Sequence, residues 1–164
     1  MKELLDKIST YNIFNFLLPG VIFSVFATKL TTYDFIQEDL LSGAFVYYFI
    51  GLVISRIGSL IIEPSLKKAR IISFSSYENF LRASMNDPKL AVLSETNNMY
   101  RTICALLLCI AVLFFYDKVA QSIEILKTAT PVVCVVGLLA LFLFSYRKQT
   151  FYIQKRVSAN KDEI

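Results

Sequence analysis

The sequence predicts an all-α, multi-pass membrane fold, and three observations carry that expectation. Of its 164 residues 55% are hydrophobic, only 18% are charged, and the apolar residues gather in four long runs. An ordinary soluble domain is about 25% charged. One water-facing core of this size would also leave large apolar patches exposed. Runs such as Val132 to Phe144 are apolar on every side, whereas membrane strands alternate. In hydrocarbon a helix satisfies its own backbone, so four transmembrane helices are expected, with a helical cytoplasmic hairpin between the second and third.

At ~1.5 Å per residue, a hydrocarbon core of ~30 Å needs about 20 residues of helix. The first span is placed at about 9–28, preceded by Lys2 and Lys7 mixed with Leu4, Leu5 and Ile8 as an interfacial turn. Val25, Phe26 and Ala27 imitate the end of a signal peptide. Asn12, Asn15 and the Pro19-Gly20 pair interrupt the run, so it is expected to remain as a span. The second span is placed at 40–62 and is broken by Arg56. The third has only 15 uncharged residues between Arg101 and Asp117, roughly 22 Å of helix. Snorkelling of Arg101 and Lys118 lets it be drawn at 99–117. The fourth is placed at 128–146, and the whole chain, 1–164, reads as one membrane domain.

Orientation follows from Lys and Arg. Thirteen lie in the N-terminal segment, the loop at 63–98 with Arg101, and the tail at 147–164; Lys29, Lys118 and Lys127 lie on the other side. The positive-inside rule then puts both termini and the long loop in the cytoplasm, as in a multi-pass protein of the cell inner membrane. The net charge of +4 hides this asymmetry.

The loop at 63–98 is too long for a plain connection and should have its own helices. Pro64 suits a first helical turn, with Leu66, Ala69, Arg70 and Ile72 carrying the second span onward. Ser75 followed by Glu78 fits a capping box, Asn86-Asp87-Pro88 ends that helix, and Asp87 caps a further one leading into the third span. Phe74, Tyr77, Phe80 and Leu81 with Arg82 form a docking candidate for a cytoplasmic protein partner or a second copy, if they do not pack on the chain itself. In the tail, Arg147, Lys148, Lys155 and Arg156 interleave with aromatics. Directly after a span this pattern suits anionic lipid headgroups better than nucleic acid or nucleotides.

No catalytic residue, metal site or cofactor is expected. The chain has no His, its Cys104, Cys109 and Cys134 lie in apolar runs, and 5 glycines form no phosphate-binding loop. The polar candidates inside the spans are Asn12, Asn15, Arg56, Ser59 and Glu63, which either line a pore or hold helices together. Arg56, Ser59 and Glu63 share one helix face. Pro19 and Gly20 form a candidate hinge, and Gly51, Ser55 and Ser59 repeat every four residues as a candidate helix-packing face.

The segment Tyr11-Asn12-Ile13-Phe14-Asn15-Phe16-Leu17-Leu18-Pro19-Gly20, with the four-span plan and the basic hairpin, resembles small accessory or effector membrane proteins of bacterial antiphage systems, including those associated with CRISPR and nucleotide-signalling loci. That resemblance implies an oligomeric inner-membrane component switched on by a cytoplasmic sensor, ending in depolarisation or permeabilisation. The expected function is therefore non-enzymatic coupling of a cytoplasmic signal to the membrane by a homo-oligomer. A constitutive channel or transporter component and a passive anchor or scaffold are the alternatives.

Overall fold

The computed structural model describes residues 10–161, and their regular structure is all helical. Helix α1 runs through Thr10–Asn12, a wide turn at Ile13–Leu17, and Leu18–Leu30; α2 runs through Leu40–Ile57, a second wide turn at Gly58–Ile62, and Glu63–Lys68. Next come α3, Tyr77–Asn86, α4, Lys89–Ser122, and α5, Glu124–Lys161. Helices α1, α2, α4 and α5 are each long and apolar enough to cross a membrane. The interfacial turn expected at residues 1–9 lies outside the described residues.

Both wide turns have the same local cause. A proline has no N–H and its ring crowds the carbonyl four residues back. Pro19 and Pro64 each follow a turn in which the amide of the residue just before the proline has dropped to an i→i+5 bond: Leu18 N–H reaches the Ile13 carbonyl, and Glu63 N–H reaches the Gly58 carbonyl. The chain thus stays helical through both prolines. Pro131 is carried inside α5 without such a turn.

Helices α1 and α2 run antiparallel and touch backbone to backbone. A methyl group added at Gly20 would collide with the carbonyl of Tyr47, and one added at Gly51 with the carbonyl of Phe16. Small residues permit this approach, which is how helices associate where no water is available to drive them together. Phe16 fills the remaining space, edge-on to Tyr48 with ring centroids 5.4 Å apart. Helix α4 completes a three-helix core around Ile54, Ala105 and Leu106, flanked by Ile22, Phe23 and Ile50. Helix α5 is the outlier. The buried share of the apolar span is 33% in α1, 22% in α2 and α4, and 0% in α5.

Three expected boundaries shift. The second span does not continue as helix through Arg70 and Ile72; α2 stops at Lys68. The Arg70 amide bonds the Lys67 carbonyl and the Ile71 amide bonds the Leu66 carbonyl, with Arg70 at φ 60°. This is the left-handed C-terminal cap that glycine usually provides. The α3 cap is Ser76 rather than Ser75, because it is the Ser76 hydroxyl that accepts the Asn79 amide, at 3.2 Å. The connection expected at 118–127 is mostly helix: α4 extends to Ser122 with Ala120 buried, leaving Ile123 between it and α5. Asp87 does cap α4, accepting the Lys89 amide at 2.9 Å. Across the bundle, Asp39 caps α2 by accepting the Ser42 amide at 2.7 Å, and that bond holds its carboxyl below the usual carboxylate range.

Gly51→Leu is expected to destabilise the protein by the upper end of ~1–3 kcal/mol, since a backbone carbonyl rather than a movable side chain stands in the way. Arg70→Gly is expected to stabilise it by about 1 kcal/mol by removing the left-handed penalty of a side-chain-bearing residue. Thermal unfolding in mild detergent checks both directions.

Candidate functional site

Polar residues form a seam along the bundle, and it begins in the most buried part. Asn15 is 1% exposed, while Ser55 and Thr102 are fully buried. The Thr102 hydroxyl donates to Asn15 Oδ1 at 2.7 Å, and Asn15 Nδ2 donates to Ser55 Oγ at 3.3 Å. One residue from each of α1, α2 and α4 therefore meets at a single point. Asn15 is an interhelical tie here, with both ends of its amide engaged inside the bundle.

Two turns along α2 the seam becomes ionic. Glu63 is 8% exposed. Its Oε2 accepts from Arg101 Nη1 at 2.7 Å and its Oε1 from Lys67 Nζ at 2.9 Å; Lys148 Nζ stands 3.7 Å from Oε1. Lys148 also donates to the carbonyl and hydroxyl oxygens of Ser59, at 2.7 and 2.8 Å. One carboxylate thus joins α2, α4 and α5. Arg56 flanks the cluster, lining a small cavity with Ser59, Lys148, Gln149 and Tyr152. Its Nε and that of Arg101 are buried without a hydrogen-bond partner. Three cations therefore surround one anion at this end, with the Arg56 guanidinium beside them.

A third node closes the opposite end. Asp117, 2% exposed, accepts from the Thr32 hydroxyl at 2.5 Å, the Thr32 amide at 3.3 Å and Gln121 Nε2 at 2.7 Å. This fastens the α1–α2 connection to α4. Tyr116 and Thr130 hydroxyls meet across the α4–α5 turn.

The other predicted residues divide by location. Ser55 and Ser59 lie on the seam itself, and Gly51 and Gly20 form the close approach next to it. Pro19 sits above the first wide turn, and Asn12 lies one turn before Asn15 on α1. Tyr77 packs on Tyr152 with ring centroids 5.5 Å apart and Leu81 is buried, so these two seat α3 on the bundle. Phe74, Phe80 and Arg82 remain exposed, Phe74 lying under Lys67 Nζ at 4.4 Å. Of the tail cations, Arg147, Lys155 and Arg156 are exposed, with Lys155 over Phe151. Lys148 is a correction: it turns inward, because Ser59 and Glu63 present three oxygens to it.

Sequence reasoning missed Thr102, Arg101 and Asp117, taking them only as the edges of a short span. A signal was present in the spacing Asn98, Thr102, Ala105, Cys109, a small and polar face like that of Gly51, Ser55 and Ser59. Among the described residues no group of three His, Cys, Asp or Glu side chains is placed to hold a metal ion. No protein-family model, curated protein or solved structure matches the chain.

Thr102→Val keeps the shape of the side chain and removes its hydroxyl, leaving Asn15 Oδ1 unpaired. The expected loss is about 0.6–1.7 kcal/mol, the range for interhelical hydrogen bonds in membranes. Equal stability of the variant and the parent in a detergent unfolding titration would show that the three-helix tie contributes nothing.

Proposed function

We propose that the chain is a non-enzymatic, multi-pass inner-membrane protein that passes a cytoplasmic signal to its membrane bundle through the Glu63 cluster and acts as a homo-oligomer. The observation that carries this reading is the asymmetry between α5 and the other three long helices. The core of α1, α2 and α4 is tied by buried hydrogen bonds, whereas no part of the α5 span is buried and the Lys148 contacts are its charged link to α2. Breaking one partner out of a buried ion pair costs several kcal/mol. A partner or anion that competes for these cations would therefore loosen α5 while sparing the core. An uncovered apolar helix is also the face through which a second copy would join.

The signal would arrive at the Glu63 end. Helix α3 is seated there on α5 by Tyr77 and keeps Phe80 and Arg82 outward, so a protein held by those two side chains would pull on α5 directly. The excess of Lys and Arg at that end supports a cytoplasmic orientation. The resemblance to antiphage accessory proteins supports depolarisation as the output to measure.

Glu63→Gln is expected to release α5 and raise the response of the membrane potential to expression of the chain, with thermal stability lowered by about 3–5 kcal/mol. Phe80→Ser combined with Arg82→Glu is expected to abolish capture of the partner from native membranes without lowering stability. A potential-sensitive dye, copurification and sizing in mild detergent read these effects. A monomer at every concentration, with an intact potential for both the parent and Glu63→Gln, would overturn the proposal.

A further inference from the structure

Between α2 and α5 lies a groove of about 1010 Å³. The main part of its α5 wall is one helix face, since Gly137, Leu141, Phe144, Lys148 and Phe151 follow one another at spacings of three and four. Leu60 and Ile61, carried on the second wide turn, form the facing wall. The lining changes character along its length. From Gly137 to Phe144 it is apolar; beyond that it is edged by Arg147, Lys148, Thr150 and Gln154. Gly137 leaves the apolar part open, as nothing stands within 4 Å of where its Cβ would be.

We infer that this groove is a binding site for one anionic phospholipid, its acyl chain along Gly137, Leu141 and Phe144 and its phosphodiester at Arg147, beside the inward-turned Lys148. The inference rests on the membrane reading of the chain but not on its assembly or signalling. Length supports it: eleven residues separate Gly137 from Lys148, about 16 Å at ~1.5 Å per residue, which is one leaflet of a ~30 Å hydrocarbon core. A phosphate held by Arg147, at the level of Lys148, therefore brings the acyl tail to the bilayer midplane at Gly137. Charge supports it too. Arg147 is exposed and forms no ion pair among the described residues, and behind it Lys148, Arg101 and Lys67 share Glu63 as their single counter-ion with Arg56 alongside, so the groove mouth carries excess positive charge. Arginine matches a phosphodiester with two parallel donors. Gln154 adds a neutral donor for the headgroup. Because Lys148 belongs both to the groove and to the Glu63 cluster, lipid occupancy bears on the same link that holds α5.

The test uses the full chain in mild detergent, given phosphatidylglycerol and phosphatidylcholine in equal amounts and read by native mass spectrometry. One phosphatidylglycerol per chain is expected, retained at least ten-fold better than phosphatidylcholine. Gly137→Leu, which fills the groove without touching its walls' backbone, and Arg147→Gln should each cut that retention ten-fold or more with helix content unchanged. Equal retention of the two lipids, or retention indifferent to Gly137→Leu, would overturn the site. So would displacement of the lipid by an equal concentration of inorganic phosphate, which would leave only an anion site. A loss of oligomer in Gly137→Leu with lipid retention intact would assign the groove to a second copy instead. Carbonate extraction of membranes tests the membrane reading separately, so the failure of either is recognised on its own.

Discussion

Glu63 is the point on which three helices converge, and the architecture at its end of the bundle depends on the charge it supplies. Arg101 from α4, Lys67 from α2 and Lys148 from α5 all stand within 4 Å of this one buried carboxylate. In a low-dielectric interior, clustered cations without a counter-ion would drive the helices apart. The second wide turn, forced by Pro64, lies immediately before Glu63 on α2 and carries Ser59, whose two oxygens hold Lys148. A backbone irregularity and an ionic cluster thus belong to one construction.

The bundle divides into a closely tied part and a lightly held one. Backbone contact at Gly20 and Gly51, the Asn15, Ser55 and Thr102 tie, and the Asp117 node fix α1, α2 and α4 at both ends and in the middle. Each polar side chain in that set has its partner within the protein, as burial away from water requires. Helix α5 follows a different rule. It leans on Phe49 through Phe142, on Tyr77 through Tyr152 and on Ser59 and Glu63 through Lys148, and turns the rest of its apolar surface outward.

Much of this was legible from residues taken one at a time. Four apolar runs gave four long helices, Asp87 marked a true helix start, and Pro19 marked a place where the regular hydrogen-bond ladder changes. Other positions were not legible. The apolar stretch around Ile103 to Tyr116 looked short because Arg101 and Asp117 were taken as its ends, whereas both are drawn into the bundle by partners 38 and 85 residues away. Arg70 ends α2 in a conformation its own side chain disfavours, so no local preference announced it.

By itself the sequence determined the helical class, the number of long apolar helices and the steep charge asymmetry between their ends. These follow from composition and period, which act locally along the chain. Only the tertiary structure decided which charges pair. Lys148 and Arg147 are neighbours with the same charge, yet Lys148 faces three oxygens of α2 while Arg147 stays at the edge of the groove. That difference is set by the rotation of α5 against α2, about 100° per residue on a 3.6-residue helix. No property of either residue alone contains it.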